Sequence, residues 1–155
     1  MPTTLHLDDF LPFRLSIVSN RVSDAIAGTY QSLFGLRIPE WRLVAVLAES
    51  EGMTQQALGL RTRMDKVTVS RAAIALVDRG LAARTPNARD QRSHILTLTE
   101  AGRTLYAEVA PKALEMEARI FAGFDAREIA AFRTMLERAD GAVDRLTRGE
   151  NVASD

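Results

Sequence analysis

The 155-residue chain contains no cysteine and only two histidines, His6 and His94, which lie far apart in the sequence. The absence of cysteine excludes disulfide frameworks, thiolate zinc sites, cysteine nucleophiles and sensing by thiol oxidation. Two separated histidines do not form the cluster that a histidine-rich metal site needs. We therefore expect no metal and no other cofactor.

Long apolar runs are also missing, because no stretch approaches the ~20 residues that a membrane-spanning helix requires. Residues 1–9 lack the basic and apolar regions of a signal peptide. The sequence likewise has no nucleophile elbow, no phosphate-binding glycine loop and no metal-ligand cluster. We therefore predict a cytoplasmic protein that has no membrane partner and is not an enzyme.

Charge is balanced overall but unevenly distributed along the chain. The formal net charge is zero, yet the segment from Arg61 to Arg103 contains nine basic and four acidic residues. The rest of the chain contains eleven basic and sixteen acidic residues. A basic central segment between acidic flanks is the distribution expected of a localised site for a polyanion.

Apolar periodicity and capping residues predict four helices in the first half of the chain. The first covers the periodic apolar residues between Phe10 and Phe34 and is ended by Gly35. The others are residues 41–48, a short helix from Gln55 to about Leu60 capped by Thr54, and a helix capped by Asp65 that runs to about Arg79. The last two are joined by a short link, which is helix-turn-helix spacing.

The second half changes period before it returns to helix. Residues 81–84 and 94–98 are strand-like runs around a charged loop, which predicts a β-hairpin. A long helix capped by Thr99 is expected to reach about Gly123. Asp125 and Glu128 match a capping box for a last helix with a heptad-like apolar stripe, and residues after Arg148 are expected to be frayed.

This order predicts a mainly α fold with a small β-hairpin wing, namely a winged helix-turn-helix. Residues 37–99 are the expected DNA-binding domain. Residues 10–36 and 100–148 are the expected dimerisation helices, since two apolar faces of the first helix and the last stripe need partners. The flexible ends are placed at residues 1–9 and 149–155.

Several motifs resemble the MarR family of transcription regulators over about residues 10–146. Asp65-Lys66-Val67-Thr68-Val69-Ser70-Arg71, then Leu76 and Gly80-Leu81-Ala82-Ala83-Arg84, resembles the family's recognition helix and first wing strand. Asp90-Gln91-Arg92, then Leu96-Thr97-Leu98-Thr99 and Gly102, is similar to its wing signature. Arg63 is a departure, because the family usually has a small or flexible residue at this turn. The resemblance implies a dimer that binds double-stranded DNA.

Candidate DNA contacts lie on the predicted helix-turn-helix and wing. Early positions of a recognition helix face base edges in the major groove, and this helix offers Lys66, Thr68, Ser70 and Arg71. Thr54 and Gln55, at a helix N-terminus, suit phosphate contacts. The resemblance implies that Arg92 enters the minor groove and that Asp90 orients it by an ion pair. Arg89 is a weaker candidate, and Arg84 is interpreted equally well as a phosphate contact or a strand-edge charge.

The family resemblance also implies an effector cleft for an aromatic acid or its thioester. Trp41 and Arg14 are the candidate aromatic and cationic groups, although Trp41 as a core residue and Arg14 as a surface charge remain open. The predicted function is a homodimeric, sequence-specific regulator, most often a repressor, on a palindromic operator. The alternative is a winged-helix module for protein–protein assembly without an effector site.

Overall fold

The computed structural model describes residues 3–152, with side chains described for residues 3–149, and it is mostly helical with one small sheet. The chain divides into two compact units, residues 1–117 and 118–155. The elements in chain order are α1 Leu11–Ala27, α2 Gln31–Phe34, α3 Ile38–Ala48, β1 Met53–Thr54, α4 Gln55–Thr62, α5 Lys66–Asp78, β2 Ala82–Pro86, β3 His94–Leu98, α6 Glu100–Ile120 and α7 Ala126–Val152.

The predicted first helix is interrupted, so the prediction of one helix from Phe10 to Phe34 was wrong. α1 ends at Ala27, and the Thr29 hydroxyl donates a hydrogen bond to the Ile26 carbonyl at 2.7 Å. A side chain that satisfies a helix-end carbonyl competes with continuation of the helix. The resulting turn buries Tyr30 almost completely, at 1% exposure. The short helix α2 then ends at Gly35, in the left-handed conformation (φ 63°).

The sheet has three strands in the order β1-β3-β2, so the predicted hairpin gains an additional strand. β2 and β3 pair antiparallel from Ala82↔Leu98 to Pro86↔His94. β1 consists of only two residues and pairs with β3 at Met53↔Leu96 and Thr54↔Ile95. Two residues are too few to show the alternation by which a strand is recognised in a sequence.

The helix-turn-helix is formed by α4 and α5, and both predicted caps are confirmed. The Thr54 hydroxyl accepts the Ala57 amide at 3.1 Å, and Asp65 accepts the Thr68 amide at 2.8 Å. Between the helices, Arg63 adopts φ 57°. This left-handed conformation disfavours any residue with a Cβ, which explains why a small residue is expected at this turn.

A junction between the wing and α6 explains the Leu-Thr-x-x-Gly signature. The Thr99 hydroxyl donates to the Gly80 carbonyl at 2.6 Å and accepts the Gly102 amide at 3.1 Å. The Thr99 amide donates to the Leu81 carbonyl at 3.1 Å. A Cβ at position 102 would overlap that same carbonyl. Gly102 therefore allows α6 to begin directly against the end of the recognition helix.

The core of the first unit lies between the helix-turn-helix, the sheet and the start of α6. Its fully buried large side chains are Tyr30, Leu36, Leu43, Val44, Leu47, Leu58, Val69, Leu76, Leu96 and Val109. Since α5 contributes Val69 and Leu76 to this core, one face of the recognition helix is fixed and the opposite face is left exposed.

The second unit contains the end of α6 and the long helix α7. The predicted capping box is confirmed, because the Asp125 amide donates to Glu128 and the Glu128 amide to Asp125, each at 2.9 Å. The α7 backbone is helical to Val152, past the predicted fraying at Arg148. Residues 1–2 and 153–155 of the predicted flexible ends lie outside the described residues. Within residues 3–152, no helix is long and apolar enough to cross a membrane.

Candidate nucleic-acid interface

The exposed face of α5 is defined by the side chains that the core does not use. Val69, Ala72, Ala73 and Leu76 are buried. Lys66 and Arg71 are exposed, as predicted, and Ser70 is half-buried. Two apolar residues, Val67 and Ile74, are also exposed on this helix, at 58% and 46%, and the polar pattern did not single them out.

Thr68 is used by the cap of α5. Its hydroxyl donates a hydrogen bond to the Asp65 carboxylate at 2.8 Å, while its amide donates to the other carboxylate oxygen. The backbone amide of Thr68, reinforced by its hydroxyl, lowers the pKa of Asp65 below its ordinary value. The Thr68 hydroxyl hydrogen is therefore committed within the helix cap, although the oxygen keeps a lone pair for a DNA donor.

Four of the predicted site residues meet in one groove beside the wing. A cavity of about 710 Å³ is lined by Gln55, Gln56, Lys66, Arg84, Pro86, Arg92, Ser93, His94 and Leu96. The groove thus combines Gln55 from the first turn of α4, Lys66 from the start of α5, and Arg84 and Arg92 from the wing. No carboxylate is among these lining residues and three of them are cationic, a composition that favours an anion.

Strand register explains why the wing contributes these particular side chains. Arg84 pairs with Leu96, and Pro86 pairs with His94. Directly paired residues, and residues two apart along a strand, share one face of a sheet. Gln56, Ser93 and His94 were missed by the sequence interpretation, which treated His94 as structural. Arg84 and Pro86, and likewise His94 and Leu96, are two residues apart on their strands, and this spacing is the signal that could have added His94 to the predicted site.

The tip of the wing is organised by Asp90, although not through the predicted ion pair. The Asp90 carboxylate accepts the backbone amide of Arg92 at 3.0 Å. Within the described side chains, the structure shows no ion pair between Asp90 and the Arg92 guanidinium. A carboxylate two residues before an amide closes a local turn at little entropic cost, whereas an exposed ion pair gains at most about 1 kcal/mol. Asp90 therefore shapes the loop and leaves the Arg92 side chain exposed.

The remaining predicted DNA contacts lie outside this groove. Thr54 is half-buried and caps α4, and Arg71 lies on the exposed face of α5. Arg89 is exposed at the wing tip, where its amide donates to the Asn87 side chain at 3.1 Å. The wing loop is closed by Asn87, whose side-chain amide donates to the Ser93 hydroxyl at 3.0 Å.

Two arginines of the basic segment serve structural contacts instead. The Arg79 guanidinium donates to the carbonyls of Phe34 at 2.6 Å and Gly35 at 3.3 Å, which holds the end of α2 against α5. Arg61 of α4 forms an ion pair at 3.5 Å with Glu49, the residue that follows α3. The charge count of the segment therefore overstates the charge available to an external anion.

The two candidate effector residues lie on different helices, Arg14 on α1 and Trp41 on α3. Trp41 is half-buried, stacks on Tyr106 with ring centroids 5.9 Å apart, and lies 5.5 Å from the Tyr30 ring. Burial raises the pKa of Tyr30, and the charge of Arg42 acts in the opposite direction. A cavity of about 260 Å³ beside Trp41 is lined by Arg42 and Arg61, among others, and not by Arg14. Arg14 is exposed on α1.

No group of three or more potential metal ligands occurs within the described residues.

These features define a class of protein: a winged helix-turn-helix whose recognition helix and wing frame a cationic groove. Residues 34–93 match the sequence profile of the MarR family. A repressor of the HTH type from Mycobacterium tuberculosis is 28% identical over 107 residues, which cover 69% of this chain and 77% of that repressor. The resemblance to the MarR family that the motifs indicate is thereby confirmed, and residues 34–93, which contain the helix-turn-helix, β2 and the wing loop, carry it.

Solved structures confirm the predicted fold. A MarR/EmrR family regulator from Acinetobacter sp. ADP1 superposes with a TM-score of 0.83 at 23% identity, covering 91% of this chain and 99% of that one. BpsR from Bordetella bronchiseptica, whose DNA binding is regulated by 6-hydroxynicotinic acid, gives a TM-score of 0.81 at 22% identity, covering 89% and 98%. CouR from Rhodococcus jostii RHA1, solved with p-coumaroyl-CoA, gives 0.76 at 24% identity, covering 86% and 94%.

Proposed function

We propose that the chain is a cytoplasmic, homodimeric repressor that binds a palindromic operator and is released from it by a small aromatic acid or its thioester. The observation that carries the DNA-binding part is the groove in which Lys66, Arg84 and Arg92 converge without a carboxylate. Recognition helix and wing both border this groove, so one protomer can contact adjacent parts of a duplex.

Each contact has a role that follows from its chemistry. Lys66 and Arg71, near the N-terminal end of α5, suit guanine edges or phosphates in the major groove. Arg84 is exposed on a wing strand and suits a phosphate. Arg92 is exposed on the wing, where its guanidinium suits the focused negative potential of a narrow minor groove. Gln55, at the start of α4, suits the phosphate backbone.

Exposed apolar side chains in both units support a dimer. On α1 these are Leu11, Leu15, Ile17 and Val18, and on α7 they are Phe132, Met135, Leu136, Val143 and Leu146. Large apolar side chains exposed in such numbers along one helix are typical of an interaction site. A two-fold partner would also double the DNA contacts and match a palindrome whose half-sites lie about one helical turn apart.

Selection of bound duplexes from a random DNA pool tests the operator proposal directly. We expect a palindromic consensus, and we expect Arg92→Ala to weaken binding to it at least several-fold while the dimer remains folded. Arg61→Ala is the matched control, because Arg61 is exposed but pairs with Glu49 outside the groove. A pool without enrichment, or binding of a protein partner that hardly responds to salt, would favour the assembly-module alternative.

The effector proposal is supported by the aromatic cluster of Tyr30, Trp41 and Tyr106 and by the aromatic compounds named with BpsR and CouR. Trp41 is the only tryptophan in the chain, so its fluorescence is an unambiguous probe. We expect aromatic acids that lower operator affinity to change this fluorescence with the same concentration dependence. Release requires different affinities of the effector for the DNA-competent and incompetent states. Loss of binding with unchanged Trp41 emission would place the effector elsewhere.

A further inference from the structure

The most outward position of the recognition helix is occupied by an apolar side chain. Val67 lies in the first turn of α5 and is 58% exposed, between two polar neighbours. A valine at such a position has no role in the core of this chain, since the core contacts of α5 come from Val69, Ala72, Ala73 and Leu76.

Helix geometry shows how directly Val67 faces outward. Successive residues of an α-helix are separated by about 100° around the axis, which places Val67 within about 10° of the direction opposite the centre of the buried stripe. On the same scale Lys66 and Thr68 lie about 90–110° from that direction, on the two flanks. Arg71 follows Val67 by one turn on the outward face and is exposed.

An outward apolar group between cationic side chains has a natural counterpart in the major groove. The C5-methyl of thymine is the one apolar group that a base pair presents there, and aliphatic side chains contact it. Lys66 and Arg71 attract the duplex, while Val67 has no hydrogen-bonding group with which to recognise any other base edge. This placement rests on the proposed function, because it requires α5 to enter the major groove.

We propose that Val67 is a specificity-determining residue that recognises the C5-methyl of one thymine in each operator half-site. Lys66 flanks it and contributes affinity through its charge. The Thr68 hydroxyl, which donates to Asp65, is the less available of the two neighbouring side chains for base recognition.

The test replaces single thymines of the selected operator by deoxyuridine, which removes only the methyl group and preserves base pairing. For the unmodified protein we expect one position in each half-site where the replacement weakens binding about fourfold, the effect of exposing one buried methylene-sized group. With Val67→Ala, the same replacement should change affinity less than about 1.5-fold, as expected when the contact is already lost.

Two control variants separate this contact from general effects. Lys66→Gln should weaken binding to both duplexes and keep the fourfold ratio between them. Ile74→Ala, at the other exposed aliphatic residue of α5, should also keep the ratio. If Val67→Ala retains the full thymine preference, or if no thymine methyl matters, the proposal is overturned while DNA binding stands. If the unmodified protein selects no duplex, both this inference and the proposed function fail.

Discussion

Replacement of Arg84 by Gln provides a quantitative test of the cationic groove. Each protomer contributes Lys66, Arg84 and Arg92 to the groove lining, so a dimer presents two copies of each. If all these cations neutralise phosphates, the slope of log K against log salt concentration is about −5, at about −0.9 for each contact. Removing Arg84 from both protomers should make the slope shallower by about 2. The side chain is exposed, so the fold should be retained.

Fluorescence anisotropy with a labelled operator between about 50 and 200 mM salt measures this slope, because phosphate contacts change affinity strongly over that range. Arg61→Gln is the control, since Arg61 belongs to the same basic segment but pairs with Glu49. The reasoning is refuted if Arg84→Gln leaves the slope unchanged, or if Arg61→Gln reduces it as much. Arg84 would then be a strand-edge charge only.

Three further predictions concern the scaffold of the site. Gly102→Ala should lower the free energy of unfolding, measured by urea denaturation, by about 2–4 kcal/mol, because the added Cβ would overlap the Leu81 carbonyl. The control Gly123→Ala, at a position with open space around it, should change this free energy by less than about 0.5 kcal/mol. Similar values for the two variants would contradict the close approach of Gly102 to Leu81. Arg63→Gly should be about 1 kcal/mol more stable than Arg63→Ala, because both variants remove the arginine side chain but only alanine keeps a Cβ at φ 57°. Equal stability of the two variants would exclude backbone strain at this turn. Because the pKa of Asp65 is lowered in the folded protein, its cap stabilises the fold fully at pH values above the ordinary pKa of 3.8, and this stabilisation is lost as the pH falls through the folded pKa. The difference in thermal midpoint between the unmodified protein and Asp65→Ala should therefore shrink in acid. A difference that stays constant with pH would contradict the stabilising role of the cap.

Local sequence signals predicted the parts of the fold that depend on neighbouring residues. Caps such as Thr54, Asp65 and the Asp125–Glu128 pair act over three residues, and all were identified correctly. The recognition helix was also predicted well, because its apolar stripe and its closing Gly80 are both local. The same signals predict that Lys66 and Arg71 lie on the exposed surface of this helix, which the structure confirms.

Features that depend on distant partners could not be predicted in this way. β1 exists because Met53 and Thr54 pair with residues more than forty positions later. The break after Ala27 is stabilised by burial of Tyr30 beside Trp41. Arg79 is held by carbonyls 44 and 45 residues earlier in the chain. A count of charges along the sequence cannot distinguish such an arginine from one that faces DNA.

The most direct test of the central claim is a hydroxyl-radical footprint of the protein on its selected operator, compared with that of Arg92→Ala. The account predicts two symmetric sets of protections about one helical turn apart, with additional minor-groove protection in each half-site that Arg92→Ala removes. A single asymmetric protection, or minor-groove protections that persist without Arg92, would contradict a two-fold dimer whose wings enter the minor groove.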